Sequence, residues 1–119
     1  MLIMGSYLLD EFSLAMLPSG LSAVFFNQIP DVMLCGILNS DELINAIEHK
    51  SIVNLINQLC KSNLKENKTQ VKLQNEDEAF IIVVTEPLEE GKVLSDEEIK
   101  QFLDEGKIKI YYARVHNIP

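Results

Sequence analysis

The sequence lacks several features that define common classes of protein. It has no tryptophan and only two cysteines among 119 residues, which excludes a disulfide-dense secreted scaffold. Cys35 and Cys60 lack the paired spacing of a zinc site, and we interpret both as buried structural thiols. The sequence also contains no phosphate-binding loop, dinucleotide fingerprint, HExxH helix or nucleophile elbow. We therefore expect neither a cofactor nor a metal.

Positive charge is scarce and unevenly distributed. Ten basic and 18 acidic residues give a net charge of −8, which argues against binding to long nucleic acid. Residues 1–49 contain no lysine or arginine and six acids, whereas residues 50–119 hold all ten cations and twelve acids. We expect the second half to hold any anionic ligand, since a few local donors can outweigh the overall field.

Long apolar segments and targeting signals are also missing. The charge-free stretch at 12–30 contains Pro18, Gly20, Asn27 and Gln28, so it is not a membrane span. The N-terminus has no basic region followed by a cleavage site. These features predict a cytoplasmic protein with free thiols and no membrane partner.

The hydrophobic pattern predicts one α/β domain over residues 1–119, with a central mixed sheet of about five strands flanked by helices. Strands are predicted at 3–9, 21–28, 69–73, 79–85 and 108–114. Helical pieces are predicted after the starts at Pro30, Ser40, Ser51 and Ser95, the last with a capping box and a C-terminal Gly106. The continuous apolar run 79–85 is typical of a central strand buried on both faces, and it predicts a helix layer on each face.

Of the two histidines, His49 has the stronger functional pattern. It lies just before Ser51, the expected cap of a buried helix, where unpaired amides and the helix dipole favour an anion. A histidine there can donate a proton to a phosphate leaving group, because its ordinary pKa is about 6.5. Taken by itself, the position of His49 favours the alternative, in which it is an ordinary histidine of a surface loop. His116 falls in a tail that we expect to be frayed.

The turn at 86–94 (EPLEEGKVL) is a second candidate. It follows the buried strand at its carboxyl end, where open α/β sheets place ligands. Glu90 or Lys92 would then face a cleft, and the alternative is a solvated acidic turn.

Three further residues are weaker candidates. Asp10 and Ser13 follow the first strand and can face the same edge, although Asp10 can also simply end the strand. Lys68 precedes the third predicted strand, where it is either a phosphate contact or a solvated lysine.

Three segments together resemble one known family. Residues 7–13 (YLLDEFS) are similar to its first-strand segment, residues 43–51 (LINAIEHKS) to its helix–histidine–helix segment, and residues 88–94 (LEEGKVL) to its most recognisable turn. The family is that of the small viral ring nucleases, which are type III anti-CRISPR proteins of archaeal viruses and phages. The likeness runs from about residue 5 to residue 114.

The resemblance implies a homodimer that acts in the host cytoplasm and holds its ligand across the dimer interface. Members bind cyclic tetra-adenylate, the messenger of type III CRISPR defence, and cleave it without metal. A ribose 2′-hydroxyl attacks the adjacent phosphate while a histidine protonates the departing 5′-oxygen. By motif, that histidine corresponds to His49 and the turn glutamate to Glu90. Ser13 and Ser51 correspond to the serines of the site.

Five positions depart from the family pattern, and they fall on this same site. The family usually has arginine at Pro87 and Lys68, glycine at Glu48, threonine at Ile52 and asparagine at Asp10. Loss of an arginine removes a bidentate phosphate contact, and nearly all five changes disfavour an anion.

Three functions therefore remain open from the sequence. The first is metal-independent cleavage of a cyclic oligoadenylate, and the second is sequestration of the messenger without turnover. The third is an acidic paralogue that inhibits a host defence protein by direct contact, a reading based on the cation-free first half and the net charge.

Overall fold

Five strands form one mixed sheet in the computed structural model, which describes residues 5–40 and 42–118. The strands are β1 (Ser6–Leu9), β2 (Leu21–Ile29), β3 (Leu43–Ala46), β4 (Glu78–Val84) and β5 (Ile108–Ile118). The helices are α1 (Asp31–Ile37), α2 (Lys50–Cys60) and α3 (Asp96–Asp104), with one 3-10 turn at Leu14–Met16 capped by Ser13. The predicted α/β fold is confirmed. Residues 3 and 4 of the first predicted strand lie outside the described residues.

The strand order places the candidate segments at one edge of the sheet. The order is β2-β5-β4-β1-β3, with β1 parallel to both β3 and β4, and β5 antiparallel to β4 and β2. The apolar run β4 is central, as predicted. Since the carboxyl ends of parallel strands meet at the same edge, the segments that follow β1, β3 and β4 converge there.

The two faces of the sheet are covered differently. The larger core cluster joins Leu8, Ile82 and Ile110 of the sheet to residues of all three helices, including Leu55 and Ile99. The cluster on the opposite face contains sheet residues together with Val71 and Leu73 of an extended segment. The predicted helix layer on that second face is therefore wrong. A few alternating apolar side chains, with the 3-10 turn, cover the described part of this face instead.

Two predicted elements have a different structure. The helical piece predicted after Ser40 is wrong, because residues 43–46 form strand β3 beside β1. Asn45 fixes this outer strand. Its side-chain amide donates to the backbone carbonyl of Lys65, and its backbone carbonyl accepts from the side-chain amide of Asn67. The strand predicted at 69–73 is also wrong.

The alternation at 69–73 nevertheless predicted burial correctly. Val71 and Leu73 are buried while Gln70 and Lys72 are exposed. The Leu73 amide donates to the carbonyl of Met16 in the 3-10 turn, so this stretch lies over the sheet instead of joining it.

The two cysteines are joined, contrary to the expectation of free thiols. Cys35 of α1 and Cys60 at the end of α2 form a disulfide across a sequence separation of 25 residues. The pattern of the sequence had no means of showing this pairing, because it depends on how α1 packs against α2.

The ends of several elements also differ from the predictions. His116 does not lie in a frayed tail: β5 continues to Ile118, and His116 pairs in register with Ala23. The cap of α2 is His49, and Ser51 lies inside the helix, where it is buried.

The prediction for α3 is confirmed. Ser95 and Glu98 form a reciprocal capping box, and Gly106 follows the helix at φ +72°. No helix in the described ranges is long and apolar enough to cross a membrane.

Candidate active site

Asp10, His49 and Glu90 come together at the carboxyl edge of the sheet. Asp10 directly follows β1, His49 follows β3 and caps α2, and Glu90 lies in the turn after β4. The amides at the N-terminus of α2 are the common point of contact. Three segments that are far apart in sequence therefore form one cluster of titratable groups.

Asp10 anchors the chain on the approach to α2. Its carboxylate accepts hydrogen bonds from the backbone amides of Glu48, at 3.2 Å, and His49, at 3.0 Å. A carboxylate at this place satisfies donors that a helix N-terminus leaves without partners. The acidic group at position 10 is therefore paired with backbone donors.

His49 lies between two glutamates, and 46% of its side chain is exposed. Its Nε2 is 3.2 Å from a carboxylate oxygen of Glu11, and its Nδ1 is 3.4 Å from one of Glu90. The hydrogen bond with Glu11 is the main cause of a raised His49 pKa, with Asp10 and Glu90 acting in the same direction. At neutral pH the ring therefore holds its proton more strongly than a free histidine does.

Glu90 connects the turn to the same helix. One of its carboxylate oxygens accepts from the Lys50 amide at 2.8 Å, and this bond is the main reason that its pKa is lowered. His49 and the charge of Lys68 lower it further. Glu90 thus remains a carboxylate and orients the His49 ring from the Nδ1 side.

Ser51 and Pro87 line the same cleft as His49 and Glu90. This cleft has a volume of about 180 Å³, and Ile52 also lines it. Proline at 87 supplies no side-chain donor, so Pro87 contributes only apolar surface here.

Ser13 and Lys68 line a second, larger cleft of about 430 Å³, together with Glu48. The side-chain oxygen of Ser13 accepts a hydrogen bond from the amide of Ala15. Lys68 is near enough to Glu90 to lower its pKa, so the two clefts lie close to the same cluster of charges.

The contacts of Lys92 are with other residues than those of the His49 cluster. Its charge acts on Glu98 of the α3 capping box, and its carbonyl accepts from the Asn54 side chain of α2. The structure thus gathers Asp10, His49 and Glu90 but directs the charge of Lys92 toward α3.

Glu11 is the site residue that sequence reasoning missed. It contacts the ring of His49, yet it sits next to Asp10 in a segment already identified by the resemblance. Its position directly after a parallel strand was the available signal. Glu11, Glu48 and His49 each offer a ligand atom, and these atoms lie within 4.8 Å of one another, which is a set that a divalent cation could use.

The fold and the cluster define a class: an α/β protein with a histidine held between carboxylates at the N-terminus of a helix. A family model described as STIV B116-like matches residues 6–112. The chain therefore belongs to the STIV B116-like family.

Two relatives support this assignment. An uncharacterized protein, ORF116 of Acidianus filamentous virus 1 (isolate United States/Yellowstone), is 73% identical over 115 residues, which covers 97% of this chain and 99% of the relative. The solved structure of B116 of Sulfolobus turreted icosahedral virus has a TM-score of 0.84 at 39% identity, covering 92% of this chain and 97% of that one. The expectation of a family found in archaeal viruses is confirmed.

Proposed function

We propose that this protein binds cyclic tetra-adenylate and cleaves it without metal, as a viral ring nuclease that counteracts type III CRISPR defence in the host cytoplasm. The ligand class comes from the resemblance of residues 7–13, 43–51 and 88–94 to that family. The chemistry is argued from the site itself.

The observation that carries the proposal is the environment of His49. Both ring nitrogens face carboxylates at 3.2 and 3.4 Å, and these contacts raise its pKa. A protonated imidazole that remains accessible to solvent is the group that general-acid catalysis at a phosphodiester needs.

The reaction exchanges one phosphorus–oxygen bond for another. A ribose 2′-oxygen attacks the neighbouring phosphorus and gives up its proton to solvent water, while the bond from phosphorus to the 5′-oxygen breaks. His49 transfers its proton to that departing oxygen, and Glu90 holds the ring in position. The products carry a 2′,3′-cyclic phosphate at one end and a 5′-hydroxyl at the other.

Two departures from the family pattern acquire different meanings in this structure. The negative charge of Asp10 is engaged by the amides of Glu48 and His49, so it opposes an anionic ligand less than the sequence suggested. Pro87 lies in the His49 cleft without a donor, which predicts weaker phosphate binding than an arginine would give. We expect slow turnover.

We further propose that two copies pair through β2, the outer strand beside β5. Its residues, Leu21–Ile29, include no charged side chain in a chain of net charge −8. Phe25 and Phe26 of this strand are 57% and 51% exposed. An uncharged outer strand can pair with its own copy without like-charge repulsion, whereas natural edge strands are usually protected by charge. Light scattering is expected to give a dimer, and Phe26→Glu a monomer; a monomeric wild-type protein would contradict this.

A second candidate function is sequestration without turnover, and the donor-free Pro87 in the cleft favours it. The distinguishing experiment mixes the protein with cyclic tetra-adenylate in EDTA and follows binding by calorimetry and products by chromatography. Linear di-adenylate products support the enzyme, and binding without products supports sequestration. If neither binding nor products are seen, both functions are excluded. The search then moves to contact with a host defence protein.

A further inference from the structure

The N-terminus of α2 is occupied by carboxylates of the same chain. Asp10 accepts from the amides of Glu48 and His49, and Glu90 accepts from that of Lys50. A fourth contact, from Glu11, reaches the ring of His49 at Nε2. The amides of Glu48, His49 and Lys50 are therefore already bound to carboxylates of the protein itself.

The two glutamates that contact the His49 ring differ in how firmly they are held. Glu90, on the Nδ1 side, is also bonded to the Lys50 amide and so is fixed at two points. Nε2 is thus the nitrogen available to face a departing oxygen, and Glu11 occupies it. The Glu11 side chain is 59% exposed.

We propose that Glu11 is an internal competitor, whose carboxylate occupies the phosphate position on His49 Nε2 until a ligand displaces it. The identity of that ligand rests on the proposed function, but the competition itself rests on the contact. Displacement moves an exposed side chain into water and leaves the bonds of Asp10 and Glu90 in place. Glu11 therefore sets how strongly an anion must bind before it reaches the proton of His49.

The test must separate the loss of a negative charge near His49 from the removal of the group that contacts Nε2. Glu48 is the matched control, since it offers a carboxylate within 4.8 Å of the His49 ligand atom, as Glu11 does. Among the described residues its side chain has no hydrogen bond to His49. Glu11→Ala and Glu48→Ala thus each remove one carboxylate near the ring, and only the first removes the partner of Nε2.

The first measurement is calorimetry with cyclic tetra-adenylate at pH 5, well below the ordinary histidine pKa of about 6.5. We expect Glu11→Ala to tighten binding about tenfold and Glu48→Ala about twofold, the size of a charged hydrogen bond against a screened charge. Equal effects, or weaker binding by Glu11→Ala, would overturn the proposal. Thermal melting of each variant checks that it is folded.

The second measurement does not depend on the proposed function. Inorganic pyrophosphate is titrated while the His49 ring signals are followed by NMR. We expect the ring of Glu11→Ala to respond at lower pyrophosphate concentration than that of the wild type and of Glu48→Ala. If this holds while none of the proteins binds cyclic tetra-adenylate, the proposed function fails and the competition stands. If all three proteins bind both probes alike, the competition fails, whatever the function.

Discussion

The two histidines resemble each other in exposure and differ in the elements that surround them. The side chains of His49 and His116 are 46% and 43% exposed, and each lies beside a glutamate. His116 is held inside strand β5, where its Nδ1 is 2.7 Å from Glu76 and its ring packs edge-on against Phe25. His49 lies where the chain leaves β3, with a carboxylate at each ring nitrogen.

The difference shows what a candidate site requires beyond a paired histidine. The carboxylates around His49 come from segments that follow two other parallel strands, 38 to 41 residues away in sequence. The contacts of His116 are with neighbouring strands and the turn before β4, which is the setting of a structural ion pair. His49 is therefore distinguished from His116 by its position where several strands end, and not by its contact with a glutamate.

Removal of each imidazole is the strongest test of this comparison. His49→Ala is expected to reduce cleavage of cyclic tetra-adenylate by at least about 100-fold, because it removes the proton donor. His116→Ala is expected to leave the rate within about twofold, since an exposed ion pair contributes little. Product chromatography in EDTA measures both. Cleavage that survives in His49→Ala would refute the assigned role.

The two ends of α2 provide a second comparison. Cys60→Ser opens the disulfide to Cys35 and should lower the free energy of unfolding by about 3 kcal/mol, from the loop that it closes. Chemical denaturation measures the loss. The His49 ring lies at the other end of the helix, so its NMR signals should stay in place. A large shift of those signals would show that the disulfide also shapes the site.

Pro87→Arg examines the cleft at the His49 end. An arginine there should tighten binding of cyclic tetra-adenylate by about tenfold, as a charged hydrogen bond to phosphate. Ser19→Arg adds the same charge near Asn117, at the His116 end, and should have little effect. Calorimetry compares the two. No gain from Pro87→Arg would mean that position 87 does not face the ligand.

The pH dependence should be the smallest effect. The pKa of His49 is raised above 6.5 by Glu11, so its ion pairs stabilise the fold fully below the unfolded pKa. This stabilisation is lost as the pH rises through the folded pKa, and the general-acid rate should fall over the same range. An NMR titration gives the midpoint, and thermal melting of His49→Gln is the control. A midpoint below 6.5 would contradict the contacts.

Local patterns predicted much of the fold because each depends on neighbours in sequence. The apolar run of β4 and the capping box of α3 are such cases. The strand β3 was predicted as a helix, because Leu43 and Ile47 have helical spacing while the pairing with β1 is a tertiary contact. The disulfide and the full length of β5 depend likewise on distant partners, namely α2 packing on α1 and β2 pairing with residues 115–118.

The candidate site was predicted in outline only. Asp10 was predicted as a candidate because it follows a strand, and Glu90 because it lies in the turn after the buried strand. The sequence carried no sign that Asp10 pairs with the α2 amides, because that contact spans 39 residues. The sequence left open whether Glu90 or Lys92 faces a cleft; in the structure Glu90 does, whereas the charge of Lys92 acts on Glu98. The contact between Glu11 and His49 likewise spans 38 residues.

The end groups of the products distinguish attack by the 2′-hydroxyl from other routes of cleavage. Cyclic tetra-adenylate is incubated with the wild-type protein in EDTA, and the linear products are analysed by mass spectrometry. We expect a 2′,3′-cyclic phosphate and a 5′-hydroxyl, because in the proposed reaction the attacking group is the 2′-oxygen and His49 protonates the 5′-oxygen. Products with a 5′-phosphate and a 3′-hydroxyl, or cleavage that EDTA abolishes, would contradict it.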